Sequence, residues 1–504
     1  MDISSVLMLG HSTASSFESQ AKDLIRAAEA NVARIDSQIR DLVRLRERER
    51  GLIATLKLVV APVRKLPAEL LVEIFQWTLI SLDWGLPKQA LAISHVCAHW
   101  RQLACTTPQF WTQPFRPDLT KAQSDVYLVT TKLIVERSAP LPIPVTLEKE
   151  APGANHPLAE LAFSLARRWR SLCCDHTQMD RLEKLPMDAL RRLESVNITT
   201  NLACLVDINI FLGAHRLRTV TLDVVNVDCF HMPWSQLTEV TIGHGFSGNK
   251  LAAQICLDIL VQCTNVVTAK FGELVPWTER PAAGPITRLP HLKMLQVEFN
   301  VDASDDHLTP FFARLALPAL THLTIYGGCE TFWSTADFEP FQKRSPNIEQ
   351  LNIEGPPLHP DALISLLAAS PNLVKLDLER CFIQGAVDPV IRFLQYFPTD
   401  QVHSVPRLQR IHIFGSFGGH FDEAVLENMI VSRWWTDAQL LAMPGPPPVA
   451  RLKSCWISDA DEEQQYSDAF RNSRAGHRTV TDTAVIYTAV SKHGREITAR
   501  RMAA

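Results

Sequence analysis

Apolar residues recur along this chain with two different periods, and the change from one to the other divides it. From about residue 16 to residue 60 they fall three and four apart. Ile25, Ala28, Val32, Ile35, Ile39 and Leu42 form a heptad stripe, with Arg34, Asp36, Arg40 and Asp41 between them. This spacing predicts one long helix with an apolar side, suited to a short coiled coil, to a helical hairpin or to folding back on its own neighbour. Pro62 breaks the pattern, and Pro67 stands where the first turn of a new helix would start. In that helix Leu70, Leu71, Ile74 and Phe75 share a face, with Trp77 and Leu79 round the side. A second helix from about Lys88 carries Leu91, Ile93, Val96, Cys97, Trp100 and Leu103, and Phe110 and Trp111 follow beside two prolines. So small a unit, of about fifty residues, buries little surface unaided. Its apolar excess needs cover from the rest of the chain or from a partner.

From about residue 141 the period shortens. LPIPVTLE reads as extended, and then one hexad recurs, apolar-x-x-apolar-x-apolar. It appears at Trp169-Leu172-Cys174, Leu193-Val196-Ile198, Leu217-Val220-Leu222, Leu237-Val240-Ile242 and Val266-Ala269-Phe271. It continues at Leu292-Leu295-Val297, Leu320-Leu323-Ile325, Ile348-Leu351-Ile353, Leu373-Leu376-Leu378 and Leu408-Ile411-Ile413. Most starts lie 20–29 residues apart, the period of leucine-rich repeats, although the strict asparagine ladder of that consensus is absent. Positions four and six of each hexad suit the inward side of a short strand, and the first apolar residue anchors the turn into it. Helical stretches such as residues 252–263 and 360–370 lie between. The expected fold class is therefore α/β: an N-terminal helix, a small all-α unit at 62–115, and an irregular leucine-rich-repeat-like solenoid at 141–456. Residues 1–15 and the polar segment 457–504 read as disordered.

Composition changes little in this picture. The 504 residues are 46% hydrophobic and 21% charged, with a net charge of -4, an ordinary globular balance that argues against a nucleic-acid or membrane-surface partner. The 11 cysteines form no CxxC pair and suit a reduced compartment, cytoplasmic or nuclear. No apolar run is long enough for a membrane helix, and the start lacks the basic region of a signal peptide.

Candidate chemistry is sparse. No phosphate-binding GxxxxGK[ST] loop, GxSxG elbow or HExxH pair occurs. The glycine-rich FGSFGGHF at 414–421 lacks the lysine and hydroxyl that a phosphate cradle needs, and reads as a turn between repeats. DASDDH at 302–307 reads as a solvated turn. His95 and His99, four apart on one expected helix face, have no third ligand nearby. No enzyme activity, metal or cofactor is expected.

One segment carries a resemblance. Leu66-Pro67, Glu69-Leu70-Leu71, Ile74-Phe75, Val96-Cys97 and Trp100-Arg101 stand in the order of an F-box, the helical module that binds the Skp adaptor of cullin–RING ubiquitin ligases. The linker SLDWGLPKQ is a little long for that family and resembles the variant common in mushroom-forming fungi, where a heptad helix precedes the box and a leucine-rich-like array follows. The resemblance covers about a tenth of the chain. It implies a substrate-recognition adaptor without catalytic residues, with Leu66, Pro67, Leu70, Leu71, Ile74, Phe75, Val96 and Trp100 on or beside the adaptor interface. It leaves open an F-box protein working with the Skp adaptor outside a ligase, or an unrecognised enzyme on the array. For the protein target, Lys293, His322, Glu349, Asn352, Lys375 and Arg410 are the expected outward-facing strand residues. Their mixed charge suits a protein more than a nucleic acid.

Overall fold

A computed structural model describes residues 14–78, 88–120, 125–148, 150, 156–200, 207–224, 226–243, 250–275, 277, 284–299, 309–328, 333–356, 358–381, 387–398, 404–415, 422–433, 440–441, 445, 447–459, 488–490 and 496–498. The expected disordered start, most of the SLDWGLPKQ linker, DASDDH, the glycine-rich turn beyond Gly415 and most of 457–504 lie outside these residues. The chain divides into two compact units, residues 1–81 with 92–103, and residues 82–91 with 104–504.

In the first unit, helix α1 runs over Ala14–Val59. No described residue covers its heptad stripe. Ile25, Val32, Ile35, Ile39, Leu42, Ile53 and Leu56 are all 47–64% exposed, so α1 is not folded back against its own unit. Its charges pair along the helix surface, as in Lys22–Glu18 at 2.7 Å and Arg50–Glu47 at 3.1 Å, contacts worth little in water. A short 3-10 turn at Pro62–Lys65 leads into α2, Ala68–Thr78, with Pro67 just before its first residue. The expected second helix is in fact two, α3 at Lys88–Val96 and α4 at Ala98–Thr106. The break has a local cause. Cys97 sits between them, its Sγ accepts from the Trp100 amide at 3.5 Å and its carbonyl accepts from the Arg101 amide at 2.9 Å. It caps the start of α4. His95 and His99 thus fall on different helices, and among the described residues no group of three or more His, Cys, Asp or Glu could hold a metal.

The second unit is built on one parallel sheet. Its strands follow each other in space in the order in which they occur in the chain: Ile143–Leu147, Trp169–Asp175, Ser195–Thr200, Thr219–Val224, Glu239–Ile242, Thr268–Val275, Met294–Phe299, His322–Tyr326, Gln350–Glu354, Lys375–Glu379, Arg410–Gly415 and Ser454–Asp459. The hexads set the register. Leu172, Val196, Val220, Val240, Ala269, Leu295, Leu323, Leu351, Leu376 and Ile411 lie in one unbroken row, and Cys455 continues it. All are buried. A one-residue slip anywhere would turn a whole strand's apolar set outward.

A backbone device keeps the pitch. The carbonyl at hexad position two accepts the amides of positions two and three of the next strand. Arg218 O receives Thr238 N and Glu239 N, Lys293 O receives Thr321 N and His322 N, and Glu349 O receives Val374 N and Lys375 N, all at 2.7–3.0 Å. Helices such as Ala253–Gln262, Thr335–Arg344, Pro360–Ala368 and Val387–Leu394 return the chain between strands and bury Cys256, Phe338, Leu363 and Val390.

The segment from 457, expected to be mostly disordered with a short strand or helix at TAVIYTAV (483–490), contains strands among its described residues. The strand Ser454–Asp459 runs past residue 456, and short strands at Thr488–Val490 and Glu496–Thr498 add to the same sheet. An open sheet edge offers unpaired amides and carbonyls that even a polar segment can meet.

Two arginines, one buried and one half-buried, fix the connections. Arg433 is fully buried and its guanidinium donates to the carbonyls of Leu394, Ser404 and Val405. Burial pushes it down to about 10. Arg181 pairs with the buried carboxylate of Glu150, which also accepts from Gln178 Nε2 and the His156 amide, both at 2.9 Å. Burial opposes the charge of Glu150, but these donors outweigh it and hold the carboxyl below its usual range.

Candidate protein-interaction surfaces

On α2 the apolar side chains divide into two groups by angle. Leu71 and Phe75 are 1% and 4% exposed. Phe75 meets Trp100 edge to face, with ring centroids 4.6 Å apart. These two residues were expected at a partner's surface, and the structure instead places them under the chain's own cover. They serve the internal packing of the first unit. Pro67, Leu70, Ile74 and Trp77 lie three, four and three residues apart, one side of a helix. Pro67 is exposed, and Leu70, Ile74 and Trp77 are 46%, 47% and 71% exposed. Leu66 and Trp100 are half-buried, and Val96 is open. Trp77, absent from the expected set, is the largest open side chain on this side. Helical spacing could have found it, since it continues the Pro67-Leu70-Ile74 series.

The outward side of the sheet carries three polar rows, fixed by strand pairing. The first holds His322, Gln350, Lys375 and Arg410, and the second holds Thr324, Asn352, Asp377 and His412. His322, Asn352, Lys375 and Arg410 therefore stand on this face as expected. Lys293 and Glu349 each sit one residue before their strands, outside the paired rows; Lys293 is exposed and Glu349 half-buried, and each spends its carbonyl on the pitch-keeping bonds. Charges inside the rows are partly matched. Lys375 Nζ pairs with Asp377, whose Oδ1 is 4.0 Å from His412 Nδ1. At the far end His412 lies over Trp456, with ring centroids 4.2 Å apart, and Phe414 stacks on the same indole at 6.2 Å.

The third row is acidic and was not anticipated. Glu298, Tyr326, Glu354 and Glu379 are consecutive partners across four strands. Burial, then the charges of Glu354, Glu298 and Glu379, push the Tyr326 hydroxyl up. Arg380 answers part of this charge at 3.8 Å from Glu354 and 3.9 Å from Glu379. The row occupies hexad position seven, one step beyond the apolar pattern that marks each strand. Several thiols are held protonated by their surroundings. Burial, then the neighbouring Glu148 carboxylate, raise Cys173 to about 11, and burial raises Cys381 and Cys455 to about 12.

Among the described residues no helix is long and apolar enough to cross a membrane. No curated protein matches the chain. Among solved structures, the chain is similar to the crystal structure of a protein from Bacteroides fragilis at 12% identity and a TM-score of 0.27, over 59% of this chain and 74% of that one. A likeness at that level carries no argument. Residues 63–117 match the family model described as F-box-like. The side of α2 that the chain leaves open thus belongs to an F-box-like domain, a module whose general role is protein–protein interaction with Skp-type adaptors.

Proposed function

We propose that the chain is a substrate-recognition adaptor of a Skp–cullin–F-box ubiquitin ligase, of the type found in mushroom-forming fungi. Its box would bind the Skp adaptor, and a leucine-rich-repeat-like array would hold a protein target. The observation that carries this reading is the uncovered apolar series Pro67, Leu70, Ile74 and Trp77 inside the F-box-like match. An apolar helix side of this kind fits a groove on another protein. The sheet supports the second half of the reading. Its in-register strands present continuous polar rows, one of them acidic, where a nucleic-acid surface would need a basic stripe. The chain would supply no catalytic residue. It would hold a target near a ubiquitin-charged enzyme, so its contribution to rate is proximity. Such an adaptor works in the cytoplasm, the nucleus or both.

The test is affinity purification of the full chain after proteasome inhibition. Pro67→Ala with Leu70→Ala and Ile74→Ala should lose the adaptor and cullin yet keep targets. Glu354→Lys with Glu379→Lys should keep the adaptor and lose targets. Adaptor recovered at wild-type level with the triple variant would overturn the interface. Adaptor recovered without cullin or ubiquitin-bearing proteins would favour a role outside a ligase.

A further inference from the structure

The heptad stripe of α1 extends beyond its apolar part. Counting on from Leu42 in steps of four and three gives Arg46, Glu49, Ile53 and Leu56. One unbroken seam thus runs from Ile25 to Leu56, with two opposite charges at the seventh and eighth of its ten positions. No described residue covers it, and among the described residues Glu49, Asp36 and Lys57 make no ion pair. Arg46 reaches only Glu47, at 3.1 Å on an exposed surface, a contact of little worth.

We infer that α1 pairs with α1 of a second copy of this chain, antiparallel, with Arg46 of each copy opposite Glu49 of the other. The sequence of the seam is self-complementary in that orientation. In an antiparallel pair the first core position of one heptad faces the fourth core position of the other helix. Turning the second copy about the point between residues 47 and 48 sets Ile39 against Leu56, Leu42 against Ile53 and Arg46 against Glu49. Each pairing occurs twice, which makes six consecutive layers. The flanking positions agree. Leu45 faces Leu52, and Asp36 faces Lys57 across the seam. A parallel, in-register pair would instead stack Arg46 on Arg46 and Glu49 on Glu49, two adjacent layers of like charge. Charges at and beside a seam select orientation and partner more than they add affinity. A foreign helix would need the same charge order in reverse, and this helix already carries it. The overlap from Ile39 to Leu56 spans about 26 Å of helix, a short seam, so a weak dimer that depends on concentration is expected.

The test is sedimentation equilibrium of the full chain from about 1 to 100 µM at low salt. Because the side chains concerned are exposed in the single chain, their substitution leaves its fold intact, and circular dichroism checks this. The wild type should dimerise. Arg46→Glu alone and Glu49→Arg alone should each weaken the dimer about tenfold or more, since each replaces two attractive layers by two repulsive ones. The double exchange should return it to within about threefold of wild type. A wild type that stays monomeric across the range overturns the proposal. So does a dimer that either single exchange leaves unchanged, as a parallel pair would, and so does a double exchange that fails to restore it.

Discussion

Ile74 and Phe75 are neighbours in sequence, yet truncating them should have opposite consequences. Phe75 is 4% exposed and holds the Trp100 ring. Phe75→Ala removes a buried aromatic side chain, a loss of about 3–5 kcal/mol. Loss of the edge-to-face pair adds about 1 kcal/mol. That is a large share of the roughly 5–15 kcal/mol that holds a domain together. Ile74 is 47% exposed, so in the free chain Ile74→Ala should cost less than about 1 kcal/mol. In the complex, the open half of Ile74 is worth about 1 kcal/mol, taking half of the roughly 1.5–3 kcal/mol for a fully buried side chain. That predicts a fivefold weaker adaptor complex, roughly. Removing Leu70, Ile74 and Trp77 together, with exposures of 46%, 47% and 71%, should remove about 4 kcal/mol, close to three orders of magnitude in Kd. Calorimetric titration of the full chain with a purified Skp-type adaptor reads binding, and amide exchange over α2 reads local stability. The expected pattern is weak binding with intact protection for the triple variant, and lost protection for Phe75→Ala. Normal binding by the triple variant, with Phe75→Ala abolishing binding at full protection, would show that the buried side of α2 is the interface and refute the reasoning.

Four further outcomes follow from the second unit. Glu150 has a folded pKa below its ordinary 4.5, so its contribution is complete above that value and disappears as pH falls through the lowered one. In acid titration of unfolding, Glu150→Gln should flatten that part of the profile and cost about 2 kcal/mol at neutral pH, since Arg181 loses its buried carboxylate and keeps Glu160 at 3.3 Å and the Gln178 carbonyl at 3.0 Å. Arg433→Met should lower the melting temperature by leaving the carbonyls of Leu394, Ser404 and Val405 without their donor, about 3 kcal/mol in denaturant unfolding. Gly355 has φ +97°, and an added Cβ would stand 1.8 Å from the Gly327 carbonyl oxygen, so Gly355→Ala should destabilise by about 3 kcal/mol or more, or prevent accumulation of folded protein. Cys173, raised to about 11, should react with a maleimide at pH 8 about a hundredfold slower than a free cysteine, and denaturation should abolish the difference.

The strand region was legible from sequence because two constraints act on the same residues. A period of two selects the inward positions, and parallel pairing then repeats the selection in the next strand, so Leu323, Leu351 and Leu376 identify one another. The open side of α2 was only half legible. Helical spacing shows that Leu70, Leu71, Ile74 and Phe75 point into one broad sector, but which part of it the chain covers depends on Trp100 and on contacts distant in sequence. The break at Cys97 escaped because a cysteine is a rare cap and no proline or glycine marks the turn. Lys293 and Glu349 fall just outside the paired rows for a simpler reason. Polar residues on both sides of a strand's first apolar anchor look alike until pairing fixes where alternation starts. The acidic row Glu298, Tyr326, Glu354 and Glu379 lies beyond the sixth position, where no apolar signal draws attention to it.

The carbonyl at hexad position two does the same work in each repeat without help from its side chain. Arginine, threonine, valine, lysine and glutamate all occupy that position, and each passes the same pair of bonds forward. Spacing between strands is therefore insulated from substitution, and the loops that follow absorb the unequal repeat lengths. A segment carrying one hexad and its return helix could be lost or duplicated without disturbing how its neighbours join, because each junction specifies only backbone. Such a chain can change the number and identity of the residues it displays while its framework stays constant. In a receptor, that allows target preference to diverge quickly without a matching loss of foldability.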